Sequence, residues 1–273
     1  MPRLFRIAKG RSVNDKMFVD THAHLQWVSF DNDRENALAR AKEKRVTCIV
    51  NIGFDVAGSL KGIKLAEKHK ELYATVGVHP HNANKLNKKT IDTLRELSTK
   101  PKVVAIGEIG LDYYRNLSPR EVQKQAFETQ LALAQELKLP VIIHDREAHD
   151  DILQTLSKFK GKIKGVMHCF SGSKEMAQQC IDLGFLVSFA GTVTYPKAHG
   201  LREIAEWIDL KNVLLETDCP WLAPQEVRGK RNEPSFLPMI AQEIANLKRV
   251  SVDDLAEVTT RNAEEILHVL EAN

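Results

Sequence analysis

The chain has 273 residues, 43% of them hydrophobic and 27% charged, which excludes a disordered chain, a coiled coil or a membrane-spanning bundle. A formal net charge of +3 tolerates a polyanionic partner without requiring one. The length suits one α/β barrel, and no apolar run approaches the roughly 18 residues of a spanning helix, so no membrane association is expected.

The first segment, "MPRLFRIAKGRSVNDK", is basic and lacks the apolar core of a secretory signal, so residues 1–16 are expected to lie outside the fold and 17–273 to form a single domain. The first predicted strand, "FVDTHAH" (18–24), places Asp20, His22 and His24 on one face. Further apolar, β-branched runs follow at 46–53, 72–79, 103–108, 140–144, 165–168, 185–191 and 212–218. Several are apolar nearly throughout, as parallel strands covered on both faces require. Helical patterns fill the gaps at 32–45, 57–70, 88–99, 147–159, 173–183, 199–208, 235–248 and 252–270, the last opened by Ser251 and Asp254. The clearest helix is "SPREVQKQAFETQLALAQELKL", with Ser118 read as N-cap, Pro119 at the first helical position and Glu121 at the capping-box position.

Strands and helices alternating at this spacing predict a (β/α)₈ TIM barrel, fold class α/β. An open doubly wound sheet would carry a glycine-rich phosphate loop after its first strand, where this chain has H-A-H. Cys48, Cys169, Cys180 and Cys219 are widely spaced and form no C-x-x-C pair; without a secretory signal they fit a reducing, cytoplasmic compartment and small core roles.

Barrel enzymes carry their chemistry at the carboxyl ends of the strands. Those ends supply His22 and His24, His79, Glu108, His144, His168 and Asp218. Any one of these is ordinarily a hydrogen-bonded rim residue. Converging on one mouth, they become a metal-ligand set, in which imidazoles suit transition ions and carboxylates bridge cations. His69, His199 and His268 lie in polar helical contexts and read as surface residues.

The motifs "DTHAHL", "GVHPH", "GEIGLDYYR", "PVIIHDR", "HCFSGS", "ETDCPWLAP" and "GKRNEP" resemble, in order, those of the TatD-type metal-dependent deoxyribonucleases of the amidohydrolase superfamily, from about Met17 to the C-terminus. The resemblance implies two divalent metal ions (Zn, Mn or Mg). His22, His24 and Asp218 would hold one, His144 and His168 the other. Glu108 would bridge them, where many binuclear amidohydrolases use a carboxylated lysine. It also implies that His79 and Arg146 lie near the substrate phosphate.

Such a centre activates water for attack on phosphorus, with Asp218 as general base and His79 on a phosphate or leaving oxygen, making Asp218, Glu108 and His79 the expected catalytic residues. Arg146, and Arg228, Lys230 and Arg231 of "VRGKRNEP", are candidate phosphate contacts. Tyr113, with Tyr114, Tyr195, Trp221 and Phe170, lies just beyond a strand end, where an aromatic can stack on a base. Asp20 and Glu216, each two residues before a ligand, can orient histidines or bond within the barrel. The expected substrate is DNA, trimmed from single-stranded or frayed ends, with no obligatory protein partner. Two alternatives stand beside it: an ester or amide hydrolase such as an aminoacyl-tRNA deacylase, and a nucleic-acid-binding module with a relic metal site.

Overall fold

The computed structural model describes residues 17–270. Its eight strands are β1 (Phe18–Ala23), β2 (Val46–Asn51), β3 (Leu72–Val76), β4 (Val103–Asp112), β5 (Val141–Arg146), β6 (Gly165–Met167), β7 (Phe185–Phe189) and β8 (Val213–Leu215). They hydrogen-bond in chain order, every neighbouring pair parallel. The helices are α1 (Arg34–Glu43), α2 (Val56–Lys68), α3 (Lys88–Leu97), α4 (Arg120–Leu137), α5 (His149–Ser157), α6 (Lys174–Asp182), α7 (His199–Trp207), α8 (Leu237–Lys248) and α9 (Val252–Leu267). This is the (β/α)₈ barrel. Residues 1–16, expected outside it, lie outside the described residues.

The barrel closes where the segment after β8 returns to β1. The Asp218 amide donates to the His22 carbonyl at 2.8 Å, and the His24 amide to the Cys219 carbonyl at 2.8 Å. Below them the Thr21 hydroxyl donates to the Leu215 carbonyl at 3.0 Å.

Strand limits differ from the predicted ones where side chains take over the ladder. β8 stops at Leu215 because the Asp20 carboxylate captures the Thr217 amide and hydroxyl, at 2.9 and 2.6 Å. β4 instead runs on to Asp112, buried along its whole length. Gly110 permits this: at φ +142° its added Cβ would stand 2.0 Å from the His144 carbonyl oxygen, so only glycine lets β4 meet β5 there.

Asp55, Asn87, Ser173 and Ser251 cap α2, α3, α6 and α9 through their side chains. Ser118 does not cap α4, whose N-cap is Pro119; its hydroxyl donates to the His81 carbonyl instead, tying the start of α4 to the loop after β3. α9 ends at Leu267, short of the predicted 270.

Ile142 and Val166 share strand faces with His144 and His168. They cluster with Val50 and Leu214 and with Ile266, Leu267 and Val269, so the end of α9 and the residues just after it pack against the strands beneath the polar mouth. Among the described residues, no helix is long and apolar enough to cross a membrane.

Candidate metal centre

Barrel closure decides the position of the first cluster. Bonded backbone to backbone, β1 and the post-β8 segment bring Asp218 beside His22 and His24 from 196 and 194 positions away in sequence. Asp218 has φ +54°, in the left-handed region that aspartate tolerates better than most side chains. The two Nε2 atoms face each other at 3.2 Å, and Asp218 Oδ1 lies 3.7 Å from the first and 3.6 Å from the second.

Glu108 stands at the centre. Its Oε2 faces His22 and His24 at 3.4 and 3.8 Å, while its Oε1 faces His144 Nδ1 at 2.7 Å, His168 Nε2 at 3.2 Å and His79 Nε2 at 3.4 Å. One carboxylate therefore addresses two sets of imidazoles, one per oxygen. Geometry alone gathers His22, His24 and Asp218 into one group, His79, Glu108 and His144 into a second, and His22, His168 and Glu216 into a third that shares His22 with the first.

Around these donors sits a layer of carboxylates. Glu216 Oε1 accepts from His168 Nδ1 at 3.0 Å and from the Cys169 amide at 2.7 Å. Asp112 Oδ2 lies 2.7 Å from His81 Nε2 and 3.3 Å from His144 Nε2. Asp20 takes the other course open to it and bonds Thr217 within the barrel. Asp112 and His81 were not singled out from the sequence. The signal for Asp112 was present: on a strand it shares the face of Glu108, four residues earlier.

Burial works against charge on Glu108, yet the imidazoles of His168, His79 and His22 and the His144 hydrogen bond outweigh it and hold the carboxyl well below its usual range. Burial likewise disfavours the His168 imidazolium, but Glu216 and Glu108 push its pKa well up. Burial and neighbouring His168 hold His22 down, and burial holds His79 down at about 4, so both rings are neutral near pH 7. The His81 amide donates to His79 Nδ1 at 3.1 Å, leaving the proton of the neutral ring on Nε2.

These groups fit divalent cations. Two Nε2 atoms facing each other can share only one hydrogen bond, whereas a cation between them takes both lone pairs. Their 3.2 Å separation matches the edge of about 3.3 Å of a tetrahedral site with bonds of about 2.0–2.1 Å. The buried carboxylates demand positive charge, and the neutral His22 imidazole beside them is a competent ligand.

The TatD related DNase family model matches residues 19–268. The chain belongs to this family. It is 42% identical over 255 residues to the uncharacterized metal-dependent hydrolase YabD of Bacillus subtilis, covering 93% of this chain and 100% of that one. Identity to the 3'-5' ssDNA/RNA exonuclease TatD of Pantoea ananatis is 40%, covering 92% and 99%. The crystal structure of YJJV, a TatD homolog from Escherichia coli K12, superposes with a TM-score of 0.88 at 32% identity, covering 92% and 98%. This TatD-family chain is thus a metal-dependent hydrolase acting on ester bonds.

Several of the substrate contacts expected in this TatD-type site have other partners; Arg228 lies over the Tyr195 ring at 4.5 Å, and the Tyr195 hydroxyl donates to the Ala223 carbonyl at 3.0 Å. Arg231 forms a two-pronged pair with Asp33, at 2.6 and 2.7 Å, and also donates to the Ser29 carbonyl. The loop after β8 folds back onto the start of α1, so this guanidinium clamps the rim. The Tyr113 hydroxyl donates to Asp151 on α5, and Arg120 covers its ring at 4.3 Å. Phe170 is buried in the core and presents no free face. Arg146 is exposed over the Tyr114 ring at 4.0 Å, and Lys230 is exposed. No cysteine of the described residues is disulfide-bonded, and burial raises every thiol, Cys180 to about 12, which argues against a cysteine nucleophile.

Two predictions arise here for the TatD-family chain. Hydrogen bonds from Arg231, then Arg40, hold the Asp33 carboxyl at about 2, below its ordinary 3.8. A depressed carboxyl contributes stability above its unfolded pKa and loses it as pH falls through the folded one. The urea-midpoint gap between wild type and Asp33→Asn should therefore narrow between about pH 4 and pH 2; a constant gap contradicts the clamp. Glu216→Gln removes the charge orienting His168 and should weaken metal affinity about 10- to 100-fold, measured by chelator competition.

Proposed function

We propose that the chain is a divalent-metal-dependent phosphodiesterase with a binuclear centre, removing nucleotides from the ends of single-stranded nucleic acid. The observation carrying this reading is Glu108, one oxygen toward His22 and His24 and the other toward His144 and His168. In this reading His22, His24 and Asp218 hold one ion, His144 and His168 the second, and Glu108 bridges. Bound ions would lower the pKa of a water and neutralise charge developing on the phosphate.

The chain's own groups do the rest. Asp218 and His144 are the donors most open to solvent, at 14% and 15%, so the phosphodiester enters beside them. Asp218 accepts the proton of the attacking water: burial raises its pKa, but the His24 hydrogen bond and the His168 charge outweigh this, and it is ionised at neutral pH. His79 points an Nε2 proton at the cluster and donates it to a phosphate oxygen. Arg146 and Lys230 meet flanking phosphates.

The name of the Pantoea ananatis relative supports single strands, DNA or RNA, shortened from the 3' end. The test incubates purified protein with Mn²⁺ and end-labelled single-stranded DNA, the matching RNA, duplex DNA and an aminoacyl-tRNA. Metal-dependent shortening of single strands supports the reading. Deacylation without shortening gives the site to a carbonyl ester instead, and metal binding without turnover marks a relic site.

A further inference from the structure

Three aromatic side chains meet beside the metal cluster, each just past a strand end: Trp27 after β1, Phe54 after β2 and Trp221 after β8. These strands are neighbours, so their loops share one sector of the mouth. The Trp221 ring lies 5.1 Å from the His24 ring and 5.1 Å from Trp27, and Trp27 lies 5.5 Å from Phe54, all centroid to centroid. These pairs meet edge to face at 69°, 67° and 62°, so no ring in the group is covered by a parallel partner. Phe54 is braced against Gly58, whose added Cβ would stand 2.9 Å from its ring, and Trp27 packs on the core. Trp221 remains 43% exposed.

Exposure alone does not set Trp221 apart, since Trp207 is as open; what does is its place in a three-ring group at the mouth, edge to face with His24 of the cluster. We propose that Trp221, held in place by Trp27 and Phe54, is a stacking subsite for one nucleobase of a single strand whose phosphodiester lies over the His22, His24 and Asp218 cluster. The inference rests on the nuclease reading above. Charge favours this occupant: the same post-β8 loop exposes Arg228 and Lys230, which suit the backbone of a polyanion flanking the stacked base. Bases within a duplex are stacked on one another, so the subsite selects unpaired nucleotides. Every base has a π-face, so it selects for the presence of a base and hardly for its identity.

The test compares a labelled single strand with one carrying abasic residues at its last two 3' positions, measuring kcat/KM with Mn²⁺ and, separately, quenching of intrinsic tryptophan fluorescence. Trp221→Ala should lower kcat/KM on the natural strand about 10- to 100-fold, chiefly through KM. Wild type should lose a similar factor on the abasic strand, and the two losses should not multiply. Trp221→Phe should recover part of the loss, and the natural strand should quench wild type far more than the abasic one. Losses in Trp221→Ala that are equal on both strands, or absent on both, overturn the stacking role while leaving the nuclease reading intact. A wild type that shortens neither strand overturns the nuclease reading and the subsite with it.

Discussion

Glu108→Gln is expected to lower hydrolysis of single-stranded ends at least about 1,000-fold. Glutamine keeps the size of the side chain but replaces one carboxylate oxygen with an amide nitrogen, which has no lone pair to offer a cation, and removes the negative charge. Because Oε1 and Oε2 face different histidine sets, either orientation of the amide disables one side of the centre. The loss should come with reduced metal content in the purified variant, measured by elemental analysis. Activity within about tenfold of wild type, at unchanged metal content, would contradict the bridging role.

The second large effect belongs to Asp218→Asn. Its backbone, bonded to His22 at 2.8 Å, is unaffected by the change, so the barrel closes as before. Loss of the base should cost about 10²- to 10⁴-fold in kcat with a smaller change in KM. The deficit should shrink as pH rises, because solvent hydroxide needs no base. In wild type, the Asp218 pKa lies below 3.8, so ionisation of this group should leave kcat level from pH 8 down to pH 5. A deficit independent of pH would reassign Asp218 to metal binding alone.

The barrel, and the gathering of polar residues at its mouth, were legible in the sequence because six of the eight predicted strands lead into a histidine, glutamate or aspartate. A run such as "PVIIH" reads as a buried strand that stops at an imidazole, and the structure puts His144 at the mouth. What stayed hidden depended on partners distant in the chain. Arg231 read as a phosphate contact because it lies near Asp218, but Asp33, 198 positions away, takes its donors once the loop folds over α1. Ser118 read as a helix cap because its local pattern is that of a capping box, yet the loop after β3 offers it the His81 carbonyl. Asp112 was lost by ending β4 at Glu108, and Gly110, which allows the strand to continue, breaks an otherwise apolar pattern. Trp27 and Phe54 carry no local sign of function; only closure of the barrel brings them beside Trp221.

The most direct measurement is a crystal structure with Mn²⁺, with ions located by anomalous scattering. Two ions per chain are expected, one among His22, His24 and Asp218 and one beside His144 and His168, with Glu108 touching both. A single ion, or ions held away from Glu108, would contradict the binuclear centre.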